Sequence, residues 1–290
     1  MPLPRGLPVV DHHCHLSPSG EGVDAARRFA RAGGTHLFLT TQSYTPEPPR
    51  TLDGYRDQFE TTERLAERVR GETGLGVFLV VAPYPIDLIG AVAAVGPSAA
   101  VDAHRAALDL AGRWVRERRA VALGEVGRAH FPVPPEVAPL IEDAFRHAFA
   151  VAHDADCPIV VHSADLDPAG FRELAARARE FGVEPGRVVK HFARSRVPAT
   201  ETDGVVPSYL AKRELVRQVE HDPGPWFLET DFLDDPRRPG AVLDLATVPR
   251  RAEAIAAAGA GAEERLSVPF LRSVERVYRV KLEGRGLAAP

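Results

Sequence analysis

The sequence predicts a (β/α)8 TIM barrel, an α/β fold with parallel strands, formed as one domain over residues 1–290. Three observations predict it. Short runs of Val, Leu and Phe alternate with longer helix-patterned segments. Most of those runs are apolar on both faces, as buried parallel strands are. Histidines and carboxylates gather at the C-terminal ends of the runs, with little of the same kind at their starts, and the C-terminal rim of such a barrel is where its chemistry is built. A doubly wound open sheet is the rival, but no Gly-x-Gly-x-x-Gly turn follows the first strand.

The elements follow in order. "PVVDHHCH" (8–15) is the first strand, and a helical stretch over 22–33 ends at Gly33-Gly34. "THLFLTT" (35–41) is the second strand; a Pro-rich loop (46–49) leads to a helix over 52–74 with a glycine stop. "LGVFLVVAP" (75–83) is the third strand, 101–119 an amphipathic helix and "AVALGEVG" (120–127) the fourth strand. A helix over 134–155 opens on prolines, and "CPIVVHSA" (157–164) is the fifth strand. A helix over 167–182 has an Asp cap and a glycine end; "GRVVKHFA" (186–193) follows as the sixth strand. "DGVVPSY" (203–209) is a weaker seventh, 210–222 is helical, "PWFLETD" (225–231) is the eighth, and the tail is helical again.

Composition excludes some functions. The chain is 44% hydrophobic and 26% charged, with a formal net charge of −4 and a pI near 6.3. That is not the basic footprint of a protein that grips long duplex nucleic acid, so no extended duplex-binding surface is expected. A small molecule or a nucleic-acid end fits better, held by local arginines; there are 33 Arg and 3 Lys. Cys14 and Cys157 are too few for a disulfide framework, and no long apolar run calls for a membrane, so a cytoplasmic protein is expected. Nothing in the sequence sets an oligomeric state.

Six residues at strand ends form the candidate site: His13 and His15 on the first strand, Glu125 on the fourth, His162 on the fifth, His191 on the sixth and Asp231 on the eighth. Taken singly each has an ordinary reading, as a hydrogen-bonded core histidine or a capping carboxylate. Five strand ends on one rim carrying ligand-type side chains point instead to a metal site. Imidazoles and carboxylates suit Zn, Mn, Mg, Ni or Co, and six ligands exceed one tetrahedral ion, so two divalent ions are expected. Strand alternation puts Asp11, His13 and His15 on one face, and His12 and Cys14 on the other, toward the helices. Asp11 and Glu229 would then lie deeper on the inner face, supporting the ligands. Arg128 and Arg194, just beyond two ligand strands, are candidate anion clamps. His36, His104, His147, His153 and His221 read as surface or packing residues, and Lys190 alternates away from His191.

These motifs resemble the TatD-related metal-dependent hydrolases of the amidohydrolase superfamily. "DHHCH" looks like that family's Asp-x-His-x-His, "GEVG" like its Gly-Glu-Ile-Gly, and "VHSAD" like its His-Ser-x-Asp. "KHF" looks like its next strand-end histidine and "LETDFLDDP" like its Glu-Thr-Asp segment. The likeness covers most of the chain. It implies that His13 and His15 hold one ion, His162 and His191 the other, with Glu125 bridging. Asp231 would bind metal and the nucleophilic water, acting as the catalytic residue. The implied reaction is phosphodiester hydrolysis, as in a deoxyribonuclease acting at strand ends. Ester, lactone or amide hydrolysis on the same metals is the alternative, and a catalytically silent metal-binding scaffold a third. The best-known members read Gly-Leu-Asp after the glutamate strand, where this chain has "GRAHF" (127–131), and the segment after Asp231 also differs. Both look similar to a subgroup common in archaea. Relatives that bridge their metals with a carbamylated lysine fit less well, because Glu125 holds the fourth-strand position.

Overall fold

The computed structural model describes residues 6–282, so residues 1–5 and 283–290 of the expected domain lie outside the described residues. All eight expected strands form: β1 (Val10–His15), β2 (His36–Thr40), β3 (Gly76–Val81), β4 (Ala122–Gly127), β5 (Ile159–His162), β6 (Val188–Ala193), β7 (Val206–Leu210) and β8 (Phe227–Glu229). They pair in chain order, every pair parallel. The strand expected over 225–231 is broken at Thr230 and Asp231, and a ninth short strand, β9 (Phe232–Leu233), continues it. β8 bonds to β7, while β9 bonds to β1 with Cys14 opposite Phe232 and His15 opposite Leu233. One continuous segment thus pairs with the last strand on one side and the first on the other, and the sheet closes into a barrel. The Asp231 N–H donates to His13 O at 3.0 Å across this seam.

The helices are α1 (Val23–Arg31), α2 (Leu52–Thr73), α3 (Asp87–Val95), α4 (Pro97–Arg116), α5 (Ala138–Asp154), α6 (Pro168–Glu180), α7 (Arg213–Val219), α8 (Thr247–Ala257), α9 (Ala262–Ser267) and α10 (Ser273–Tyr278). Local chemistry sets their ends. Thr51 caps α2 by accepting the Gly54 N–H, and Asp167 caps α6 by accepting the Gly170 N–H just before Pro168. The sequence gives no polar–apolar stripe for α3, whose "DLIGAVAAV" is apolar nearly all round. It is held by burial of Leu88 and Ala91, and by Pro48, which lies so close to Gly90 that a Cβ there would be 2.8 Å from Pro48 Cγ. No helix among the described residues is long and apolar enough to cross a membrane.

Two apolar layers result. Outward residues of the strands, such as Leu37, Leu39, Leu79, Val81, Ile159 and Val161, pack with Phe29, Phe59, Trp114, Phe149 and Phe171 of the helices. Inward residues Phe38, Val80, Ala122, Val160, Val189 and Phe227 fill the lumen together with Phe270, Val274 and Tyr278 of the C-terminal segment. The lumen is therefore plugged with apolar side chains below the strand-end histidines and carboxylates. Each fully buried large side chain contributes about 1.5–3 kcal/mol relative to exposure, enough to hold the strand ends in fixed relation.

One glycine ties two of those ends together. Gly127, at the end of β4, has φ +131°, and a Cβ there would lie 2.2 Å from the carbonyl oxygen of His162. That space is what allows the next residue, Arg128, to donate its N–H to the same carbonyl at 2.9 Å. Gly127→Ala is expected to cost about 3 kcal/mol or more, from strained backbone and overlap together. Gly74→Ala, at φ +70° with nothing within 4 Å, is expected to cost only about 1 kcal/mol. Equal losses in chemical denaturation would show that the His162 contact is not what fixes Gly127.

Candidate metal centre

The strands that carry the site are irregular where they carry it. Between Asp11 and Cys14, β1 takes three steps where its partner β2 takes two, from Leu37 to Leu39. Between Gly124 and Val126, β4 carries Glu125 as an extra residue against Val160–Val161. Between Lys190 and Ala193, β6 is again one residue longer than its partner, with Phe192 at φ +57°. Asp231, in the break between β8 and β9, has φ +47°. Each bulge turns a side chain toward the barrel axis that regular pleating would aim elsewhere.

The β1 bulge corrects the expected facing of two residues. His12 points into the lumen, not toward the helices: its ring stacks on Phe227 at 3.9 Å and 8°, and its Nε2 is 2.6 Å from the Tyr278 hydroxyl. Burial holds the His12 imidazole well below its usual pKa, with His13 and His191 adding to the effect. Asp11 leaves the inner face. It accepts hydrogen bonds from the Thr230 N–H at 3.1 Å, the Thr230 hydroxyl at 2.7 Å and the His13 N–H at 3.2 Å, clamping β1 to the β8–β9 break. The bulge lies before Cys14, so the thiol faces the helices as expected, in the outer apolar layer with its Sγ 3.6 Å from Phe38 O.

Above this level the six strand-end residues meet. His13 Nε2 and His15 Nε2 are 3.2 Å apart, and Asp231 Oδ1 lies 3.8 Å and 3.5 Å from them. His162 Nδ1 and His191 Nε2 form a second pair at 3.1 Å. Glu125 sits between the pairs. Its Oε2 is 3.7 Å from His13 and 3.6 Å from His15, while its Oε1 is 2.8 Å from His191 Nε2 and also contacts His162 Nδ1. Burial alone would push the Glu125 carboxyl up, but the His191 and His162 imidazoles outweigh it and hold the group well below the usual carboxylate range. His191 shows the converse: burial disfavours its charge, yet Glu125 and Glu229 push it up to about 10. The field at this point favours positive charge strongly.

Neighbouring groups fix the rings. His15 Nδ1–H donates to Thr40 O at 3.1 Å, leaving Nε2 toward Asp231. Glu229 lies fully buried under His191, 3.4 Å from its Nδ1, and accepts the Phe192 N–H at 2.7 Å and the Ser208 hydroxyl. Lys190 is buried outside this group, donating to the carbonyls of His191 and Ser163, and burial pushes it down to about 8.

Two residues here escape the sequence reading. His130, in the loop after β4, has Nδ1 2.9 Å from His162 Nε2. Tyr84, just past β3, has its hydroxyl 3.4 Å from the same nitrogen. The signal for His130 was its place in "GRAHF", three residues beyond "GEVG"; nothing in "APYP" marks Tyr84.

The cluster opens into a cavity of about 980 Å³ whose wall includes His15, Glu125, His130, His162 and Asp231. Arg237 and Arg238 also line it, but both are paired with Asp235. The expected clamp Arg128 is corrected: its guanidinium bonds Glu142 and Glu173 and lies outside the cavity wall. Arg194 has no carboxylate partner among the described residues and lies over the Phe192 ring at 5.7 Å, with Phe192 itself in the wall. The other expected bystanders stay apart from the cluster; His147 pairs with Asp109 at 2.8 Å and His104 approaches the Tyr55 hydroxyl at 3.4 Å.

The TatD related DNase family model matches residues 10–279. An uncharacterized protein of Methanocaldococcus jannaschii, MJ1127, is 30% identical, the match covering 98% of this chain and 100% of that one. A solved TatD-like protein from Archaeoglobus fulgidus, AF1765, superposes with a TM-score of 0.63 at 15% identity, over 93% of this chain and 100% of its own. A mutant phosphotriesterase-like lactonase from Deinococcus radiodurans shares the fold with a TM-score of 0.58 at 15% identity, over 94% and 95% of the two chains. The family match spans nearly the whole barrel, every ligand-type strand end included, and the chain belongs to the TatD related DNase family of metal-dependent hydrolases.

Proposed function

We propose that this protein hydrolyses phosphodiester bonds in short substrates, such as nucleic-acid ends, with two divalent ions and a water whose proton passes to Asp231. One observation carries the reading. The six ligand-type residues fall into two imidazole pairs, and the two oxygens of Glu125 face one pair each. That is the donor set for two ions sharing a carboxylate: His13, His15 and Asp231 for one, His162 and His191 for the other, Glu125 for both. Among the described residues no Lys or Arg pairs with Glu125 or Asp231.

Bound there, the ions would supply Lewis acidity, lowering the pKa of a water and drawing charge from the scissile group. The chain's own residues do the rest. The Asp231 side chain is 16% exposed, against 1% for His13 and 7% for Glu125, and it lines the cavity. It can therefore accept the water's proton and pass it toward the leaving oxygen. Tyr84, whose hydroxyl is pushed up by burial and by Glu125 and Asp231, stays protonated as a donor beside the scissile group. Arg194, over the ring of the wall residue Phe192 and without a carboxylate partner among the described residues, is the nearest candidate to meet a phosphate. The arginines in the wall itself, Arg237 and Arg238, are paired with Asp235, so the site suits one or two phosphates better than a polyanion.

Hydrolysis of a carbon ester or lactone is the second reading, favoured by the apolar far wall of the cavity, where Ile86, Ile89, Pro46 and Pro48 lie. Both free cysteines are buried, which suits the reducing cytoplasm. A metal-supplemented panel of phosphodiesters, nucleic-acid ends, carboxylic esters and lactones, run on one purified sample, tests both readings. Turnover confined to the carbon esters would overturn the first.

Asp231→Asn is expected to keep its fold and most of its metal while kcat falls by about 10²–10⁴-fold. Turnover above about a tenth of wild type would remove Asp231 as the proton acceptor. His130→Ala is expected to weaken divalent-ion binding by about 10–100-fold, because an unsupported His162 loses its orientation. Competition against a chromophoric chelator measures this without any turnover.

A further inference from the structure

We propose that Asp87 and Ser43 form a recognition site, in the cavity wall made by α3 and the loop after β2, for the amine-bearing edge of a flat heteroaromatic ring, such as a nucleobase with an exocyclic amine. The inference rests on the phosphodiesterase reading for the identity of the whole substrate, but the site itself stands on its own geometry.

Asp87 opens α3 and lines the cavity, yet is only 8% exposed. Both of its oxygens accept from one donor, the Ser43 hydroxyl, at 3.1 and 3.2 Å. No Lys, Arg or His lies within ion-pair distance of it among the described residues. A carboxylate offers about four acceptor positions, so most of this one's capacity is unused. Burial, partly offset by the Ser43 hydrogen bond, pushes the group up to about 7. A place in the first turn of a helix favours an acidic residue, but normally a solvated one. Here the carboxyl is turned inward, where a missing partner is costly.

The support around it is built. Gln58 is 6% exposed and donates from Nε2 to Ser43 Oγ at 3.3 Å, which commits the serine's own proton to Asp87. The buried Oε1 of Gln58 has no partner among the described residues. Beside Asp87 the cavity wall includes the apolar residues Ile86, Ile89, Pro46 and Pro48, the last seated against Gly90. An anion is repelled by Asp87, and a polyol leaves the apolar wall unsatisfied. A planar ring bearing an exocyclic amine, with no carbonyl oxygen flanking its donor edge to meet the Asp87 carboxyl, fits both.

The recognition site and the candidate metal centre share one neighbour, Tyr84. The Asp87 N–H donates to Tyr84 O at 3.1 Å, and the Tyr84 hydroxyl reaches to within 3.4 Å of His162. Tyr84 thus joins the two places, its backbone carbonyl bonded to the Asp87 N–H and its hydroxyl beside His162, so a base held by Asp87 and an ester bond at the metals would belong to one small substrate.

The test compares p-nitrophenyl esters of adenosine and thymidine 5′-monophosphate on the metal-loaded wild type and on Asp87→Asn, which keeps the side-chain volume. The wild type is expected to favour the adenosine ester by about tenfold in kcat/KM, as one hydrogen bond to a charged group implies. In Asp87→Asn that ratio should fall to about two or less. Equal values in the wild type, or a ratio that survives the substitution, would overturn the proposal. In parallel, calorimetry of adenosine and thymidine with the metal-free protein reads the site without catalysis. If neither ester is cleaved but adenosine binds about tenfold more tightly than thymidine, and Asp87→Asn abolishes the difference, the recognition site stands while the hydrolase reading falls. If the two nucleosides bind alike, the recognition site falls whatever the turnover.

Discussion

A buried carboxylate surrounded by four imidazoles is the interaction on which the rest of this structure depends. Taking Glu125 out of water costs several kcal/mol even after relaxation, and neutral histidines return only part of that. Full compensation requires positive charge in the cluster. The His191 imidazole answers that demand, pushed up to about 10 by Glu125 and Glu229. A bound cation would answer it in the same way. The demand for a cation is thus written into the packing, and it is met at one place because five strands deliver their ends to one rim.

Regular pleating explains the barrel but not the site. The alternation of apolar runs and helical segments was enough to order the strands, and the strand-end histidines and carboxylates were enough to find the rim. The register of individual side chains was not legible there, because β1, β4 and β6 each carry an extra residue at the site. His12 and Asp11 exchange faces for this reason, while Cys14, beyond the bulge, keeps the face that alternation assigns. A bulge has no dependable mark in a single sequence. It is selected by the seam between β1 and the broken β8–β9 segment, where Asp11 must reach Thr230.

What comes from loops was less legible still. Arg128 follows a ligand strand as a clamp would, but its charge is taken by Glu142 from α5 and Glu173 from α6, partners 14 and 45 residues away. Conversely His130, in the same loop, reaches back to His162. Two residues apart in sequence, one leaves the site and the other joins it. The deciding facts are long-range contacts that only the closed barrel creates.

The division of labour between strands and loops has a chemical consequence. The ligand-type residues are fixed by strand pairing, by the seam and by a lumen plugged with Phe38, Phe227 and Tyr278, so their relative positions change only if the barrel does. The far wall is made by the loop after β2, the first turn of α3 and the segment after Asp231, where Pro46, Pro48, Asp87 and Val242 line the cavity. Among the described residues those side chains make no hydrogen bond or ion pair with the six strand-end residues. Loops of this kind can be exchanged without disturbing the charge balance around Glu125, so a barrel with one hydrolytic centre can act on phosphoesters or carbon esters according to the wall it is given. In this chain the wall carries Ile86, Ile89, Pro46 and Pro48, one under-partnered carboxyl at Asp87 and two arginines paired with Asp235, and the proposed choice of a small ring over a long polyanion rests on those features.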